Sequence, residues 1–256
     1  MRRNVFATGL LVLVCGFAAA GTNETVLVVG GHPDDLVGSA GLCLLMRDRF
    51  DVHLADFTRG DRGQKRGADL APLARRRTTE ELAACKLAGV TPHFIDEING
   101  LAFASQEACE RMAKLIGELK PRAIIMHWPI DIHMDHMMSA ATLQKAARMT
   151  GFKGEYYFFE ESYDSKGFPD VFYVDITSVA KEKERLIRLY VCQNTNDGMC
   201  VEEMQNSSRR ALRMWPFRMG GYAEAFAPYV GRPQGSCIFA ELPRDPEGAK
   251  MPTWGR

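Results

Sequence analysis

Four short apolar runs set what this chain can fold into: Thr25–Gly30, Asp51–Phe57, Pro92–Ile95 and Arg122–Trp128. Stretches of helical length separate them. One covers Val37–Arg49, and a second runs from about Leu73 to Ala88 with Gly89 as its C-cap. A third can be capped by Ser105 and stops before Pro121. A further helix begins near Asp135, Tyr156–Glu160 and Val171–Asp175 read as later strands, and Ser178–Tyr190 and Val201–Met214 read as later helices. Strands alternating with helices argue for a mostly parallel sheet covered by helices on both faces. No repeat, linker or low-complexity stretch divides the pattern. The expected fold class is therefore α/β, Rossmann-like, as a single domain over residues 21–256. No G-x-G-x-x-G follows the first strand and there is no P-loop, which disfavours a dinucleotide or nucleoside triphosphate.

Residues 1–20 stand apart from that pattern. Arg2 and Arg3 precede a short apolar core, Leu10–Phe17, and Ala18–Ala20 supplies small residues for cleavage. This reads as a secretory signal peptide, and the apolar stretch is too short for a comfortable membrane span. The expectation is an exported chain, periplasmic or extracellular, with no stable membrane insertion after cleavage. Basic and acidic residues number 32 each. A near-neutral chain gives no reason to expect nucleic acid or an anionic membrane as partner. No Cys-x-x-Cys pair suggests a zinc knot or a redox site. Cys43 and Cys85 fall on apolar helix faces and read as buried thiols. Cys192 and Cys200 flank a loop and form the one candidate disulfide.

Parallel sheets bind ligands beyond the carboxyl ends of their strands. Two polar motifs lie there: Gly31-His32-Pro33-Asp34-Asp35 after the first strand, and Asp131-Ile132-His133-Met134-Asp135-His136 after the fourth. The polar loop 58–69 lies at the same edge. His32, Asp35 and His136 offer two imidazoles and a carboxylate to a divalent metal, leaving a coordination position open, as a catalytic zinc site requires. Water held there can ionise near neutral pH. Asp34 is spare and can accept a proton from that water. His133, as an imidazolium, can stabilise an oxyanion or protonate a leaving amine. Asp135 can orient one of the imidazoles from behind. His53 and His93 read as structural, and His127 as a satisfied core residue.

These residues resemble the PIG-L/LmbE-like zinc-dependent deacetylases, which remove acetyl groups from N-acetylglucosaminyl compounds. The resemblance runs from the first strand to about Phe226. It is most specific at Gly31–Asp35 and at His133–His136, with weaker support from Arg77 and Glu80, Lys183 and Gln193, and Tyr222–Phe226. It implies Zn²⁺ on His32, Asp35 and His136; two His and a carboxylate can also hold Fe²⁺. It implies Asp34 as general base and His133 as the group that polarises the carbonyl and assists the amine. Arg77 matches a sugar-contacting Arg; on spacing alone it can equally pair with Glu80 or Glu81. The loop that carries Arg59, Asp61, Arg62, Lys65 and Arg66 would border the substrate, with Arg62 among its contacts, and could favour an anionic aglycone. The implied substrate is a small molecule or glycan carrying an N-acetyl amino sugar.

Three departures from the family pattern stand out. Leu36 replaces the Glu that usually follows the two Asp, which removes an expected carboxylate near the metal. Asn99 stands where Asp is common, and can still hydrogen-bond a sugar hydroxyl. Tyr190-Val-Cys-Gln193 replaces a His-x-Ser-Gln pattern. Two other functions therefore compete with the deacetylase. One is a carbohydrate-binding relative that kept the pocket and lost turnover. The other is an Fe(II) enzyme built on two His and a carboxylate.

Overall fold

The computed structural model describes residues 24–62, 70–162, 164–169, 172–214, 219–229 and 237–242. The signal-peptide expectation for residues 1–20, and Lys65 and Arg66 of the polar loop, lie outside the described residues. Among the described residues, no helix is long and apolar enough to cross a membrane.

Seven strands form one sheet: β1 (Glu24–Gly30), β2 (Phe50–Thr58), β3 (Thr91–Glu97), β4 (Ala123–His127), β5 (Glu155–Phe159), β6 (Phe172–Asp175) and β7 (Ala223–Pro228). Their order is β3-β2-β1-β4-β5-β7-β6. The first five run parallel, while β7 is antiparallel to both β5 and β6. The helices are α1 (Ala40–Met46), α2 (Leu70–Ala88), α3 (Gln106–Leu119), α4 (Met134–Met149), α5 (Ala180–Ile187) and α6 (Gly198–Arg213).

The strands bury both faces because successive side chains point to opposite sides. Val26 and Val28 join the core under α1, α2, α5 and α6, whereas Leu27 and Val29 join the core under α3 and α4. In β4, Ala123 and Ile125 face the first core and Ile124 and Met126 the second. A near-continuous apolar run is what a strand covered on both faces requires. The strand order reverses between β1 and β4, and an open parallel sheet has its crevice at such a reversal. Both polar motifs leave the sheet at this point.

Several boundaries differ from the sequence reading. The expected helix over 37–49 is a 3-10 turn, Asp35–Ser39, leading into the shorter α1. The turn folds Asp35 back against Gly31, whose backbone N–H donates to Asp35 Oδ2 at 2.6 Å. The helix expected over 178–190 is likewise a 3-10 turn, Thr177–Val179, followed by the shorter α5. β7 went unread as a strand. Its Glu224 and terminal Pro228 disguise it, because Glu224 is fully buried and pairs with Lys183 rather than with water.

The disulfide expected between Cys192 and Cys200 is absent, and both are free thiols. Cys192 Sγ donates to Glu80 Oε2 at 2.7 Å, while Cys200 Sγ donates to the Glu184 carbonyl at 3.8 Å. His53 and His93 hydrogen-bond to one another at 2.8 Å across β2 and β3, a structural role as expected.

Candidate metal centre

The turn after β1 needs glycine where it meets α4. A Cβ on Gly31 would stand 2.8 Å from His136 Cδ2. The close approach brings His32 and Asp35 against His136, the third residue of α4. His136 Nε2 lies 3.2 Å from His32 Nδ1 and 3.3 Å from Asp35 Oδ2, and His32 Nδ1 lies 3.6 Å from that same oxygen. Ligands about 2.0–2.1 Å from a tetrahedral ion stand about 3.3 Å apart.

The far nitrogens of both rings face carboxylates. His32 Nε2 is 2.9 Å from Asp135 Oδ2, and His136 Nδ1 is 3.2 Å from Asp131 Oδ1. Those contacts place the ring protons on the outer nitrogens. Two inner lone pairs and a carboxylate oxygen then point at one another. Such a donor set is repulsive by itself and suits a cation at its centre. His136 also belongs to three other possible ligand trios: with His32 and His133, with Asp35 and His127, and with Asp131 and Asp164. All of them describe one locus around a single ring.

Asp35 is held from several sides. Its Oδ2 accepts from the backbone N–H groups of Gly31 and His32 and lies 2.8 Å from His127 Nε2. Burial pushes this carboxyl up, but His136, His127 and His32 outweigh it and hold Asp35 well below the usual range. His127 is fully buried, and burial together with His136 pushes it down to about 4. It is a buried core residue as the sequence suggested, and it also contacts Asp35. Its place at the end of β4, beside the reversal in strand order, was the available signal.

Asp34 sits on the same turn with φ 114°, a left-handed conformation that is costly for a residue with a side chain. α2 braces it. Arg77 donates to Asp34 Oδ1 and to the Pro33 carbonyl, each at 2.5 Å, and the Asp34 N–H donates to Glu81 Oε2 at 3.0 Å. Arg77 therefore pairs with Asp34 across the fold, not with Glu80 or Glu81 on its own helix. Burial pushes the Asp34 carboxyl up to about 6 against the pull of Arg77.

His133 caps α4, its Nδ1 accepting from the Asp135 N–H at 3.3 Å. That contact leaves the ring proton on Nε2. Burial, with His32 and His136 nearby, holds His133 below its usual value. With its proton on Nε2, the ring can donate a hydrogen bond into the cleft. Asn99 Nδ2 donates to Asp135 Oδ2 at 3.2 Å, and the Gly100 N–H donates to the same oxygen at 2.7 Å. An Asp at 99 would turn one carboxylate against another, so asparagine suits this contact. Leu36 is buried in the apolar core. The carboxylates that hold the rings come from Asp131 and Asp135, so Leu36 removes neither.

These groups surround a cleft of about 360 Å³. His32, Asp34, Asp35, His133 and His136 line it, as do Arg62, Arg77 and Asn99. Every residue singled out from the sequence as a site residue reaches the cleft, apart from Asp135, which sits behind His32. Glu161, Ser162, Asp164 and Glu203 form a wall that sequence reasoning missed. They come from the turn after β5 and from α6, with no motif to mark them.

Residues 27–147 match the PIG-L family, described as GlcNAc-PI de-N-acetylase. Over this segment the chain resembles that family. A comparison with curated proteins gives no sequence match. Among solved structures, this chain is similar to GalB, the 4-carboxy-2-hydroxymuconate hydratase of Pseudomonas putida KT2440. The identity is 20%, coverage is 84% of this chain and 99% of that one, and the TM-score is 0.73. It is also similar to N,N'-diacetylchitobiose deacetylase from Pyrococcus horikoshii, at 19% identity, 80% and 84% coverage and a TM-score of 0.69. A deacetylase of the teicoplanin biosynthesis pathway gives 16% identity, 80% and 97% coverage and a TM-score of 0.64. At these identities the likeness establishes a shared fold.

Proposed function

We propose that this chain is an exported, zinc-dependent hydrolase that removes the N-acetyl group from an N-acetylglucosamine-type sugar conjugate. The observation that carries the reading is the convergence of His32 Nδ1, Asp35 Oδ2 and His136 Nε2, at separations of 3.2, 3.3 and 3.6 Å, with a carboxylate behind each ring. His32, Asp35 and His136 would hold the ion, which when bound would supply Lewis acidity and a more acidic water. Asp34 stands beside this trio and takes the proton of the attacking water. His133 Nε2–H donates to the carbonyl oxygen as negative charge builds there, and assists departure of the amine. Arg77 keeps Asp34 in place, and Asn99 keeps Asp135 on His32. The family match to a de-N-acetylase supports the amide as the bond attacked.

The likeness to GalB favours one competing reading, hydration of a conjugated acid at the same centre. One experiment separates the two. The metal-loaded protein is given a panel of N-acetylglucosamine conjugates and a carboxy-hydroxymuconate, with and without a chelator. Acetate should appear from at least one conjugate and stop when the metal is stripped. Ultraviolet bleaching of the muconate without any acetate release would replace the deacetylase with a hydratase.

Export rests on Arg2, Arg3 and the apolar stretch Leu10–Phe17 before Ala18–Ala20. Mass spectrometry of the protein recovered outside the cytoplasm should find Gly21 as its first residue. Intact protein confined to the cytoplasm would remove this part of the proposal.

A further inference from the structure

Glu161 follows β5 in the turn Glu160-Glu161-Ser162. Both neighbours are tied down. Glu160 Oε2 accepts from Arg210 Nε at 2.8 Å, and Ser162 Oγ accepts from the same guanidinium at 2.8 Å while donating to Glu203. The Glu161 N–H donates to Ser165 Oγ at 3.0 Å. The backbone is therefore fixed, yet the Glu161 Oε2 atom is enclosed and has no hydrogen-bond partner. Among the described acids that line the cleft, no other has such an atom. Asp34 has Arg77, Asp35 has His127 and Glu203 has Lys183.

Space is reserved for this carboxyl. A Cβ at position 38 would stand 2.9 Å from Glu161 Oε2 and 2.8 Å from the Phe159 ring, so Gly38 leaves the side chain its slot. Buried polar atoms are nearly always paired, so a carboxyl on a cleft wall that is short of a partner calls for one.

We propose that Glu161 is a specificity residue whose carboxyl pairs with a hydroxyl of the sugar bound in the cleft that it lines with Asn99 and His133. The inference rests on the sugar-conjugate reading and names the group that recognises the sugar. Its chemistry follows from the surroundings. Burial, reinforced by Asp35 and Glu203, pushes the Glu161 carboxyl well above its usual range. A carboxyl accepts a hydrogen bond from a hydroxyl whether or not it carries a proton. A substrate anion on this wall would face Asp35 and Glu203, so a neutral hydroxyl fits best.

The test uses methyl N-acetylglucosaminide and its 3-, 4- and 6-deoxy analogues with the metal-loaded wild-type protein, Glu161→Ala and Glu161→Gln. Wild type should lose roughly tenfold in kcat/KM, or more, on one deoxy analogue. Glu161→Ala should be poor on the parent by a similar factor and indifferent to the loss of that hydroxyl. Glu161→Gln, whose amide also accepts, should keep most of the discrimination. Equal penalties from Glu161→Ala on every analogue, or a wild type indifferent to all three deletions, would overturn the assignment. Calorimetric binding of the same series reads the hydroxyl without turnover. A chain that binds and discriminates through Glu161 but releases no acetate sinks the deacetylase reading and leaves this one standing. A chain that binds none of the series overturns both.

Discussion

Asparagine in place of Asp34 should lower acetate release by about 10²–10⁴-fold, with KM little changed and the bound metal retained. The carboxylate lies next to the ligand trio but contributes no atom to it, so the ion keeps His32, Asp35 and His136. An amide has the carboxylate's shape and cannot take a proton from water. The loss therefore falls on the chemical step. A side effect is also expected. Arg77 is buried, and Asp34 is the carboxylate it contacts, at 2.5 Å. Neutralising Asp34 leaves that guanidinium with the Pro33 and Gly60 carbonyls, which should cost about 2 kcal/mol of stability. Urea titration and metal analysis alongside the kinetics keep the two effects apart. Turnover within tenfold of wild type would remove Asp34 from the base role, and metal lost together with activity would make it a ligand instead.

The pattern of strands and helices was readable because each core strand is covered on both faces. β1 and β4 are almost wholly apolar and stop at polar motifs, so their ends could be located within a residue or two. The first half of the site was readable for the same reason, since His32, Asp34, Asp35, His133 and His136 follow directly from those strand ends. What the pattern concealed was the supporting layer. Asp131 and His127 lie within or beside the motifs, but nothing local says that one holds His136 and the other holds Asp35. Those roles depend on β1 and β4 being neighbours in the sheet. Arg77 was ambiguous for a related reason. Helical spacing offered it Glu80 and Glu81, whereas the fold offers the strained turn at Asp34.

The far wall of the cleft was hidden more deeply. Glu203 lies on a helix and Glu224 on a strand, and acids in such elements are mostly solvated. Both are buried, because Lys183 on α5 comes between them, 2.7 Å from Glu203 and 2.8 Å from Glu224. A buried lysine between two acids breaks the rule that charge lies outside, and only tertiary packing reveals it. The resemblance pointed to Lys183 and to Tyr222–Phe226 without saying why they go together. Their connection is this ion network, which joins α5, α6 and β7 to the start of α1 through Glu224, the acceptor of the Gly41 and Leu42 N–H groups.

Methionine in place of Lys183 should therefore destabilise the protein by about 3–5 kcal/mol, the cost of leaving buried partners uncompensated. That is a large share of the margin of a typical domain. Glu224 would keep the two helix N–H groups, and Glu203 would keep Arg210, Ser162 and Ser207. The pH dependence carries the same signature. Burial raises the Glu203 carboxyl, but Lys183 and Arg210 outweigh it and hold the group at about 2, below its ordinary 4.5. A depressed acid contributes stability that is present above its unfolded value and is lost as pH falls through its folded value. Wild type should thus weaken between about pH 4.5 and pH 2. The Lys183→Met protein lacks the larger counter-charge, so Glu203 is less depressed and the drop in stability on acidification should be smaller than in wild type. Urea midpoints at pH 7 and pH 4 measure both effects. A loss below about 1 kcal/mol at pH 7, the scale of an exposed pair, would show that the network is solvated and that Glu203 does not owe its place in the cleft wall to Lys183.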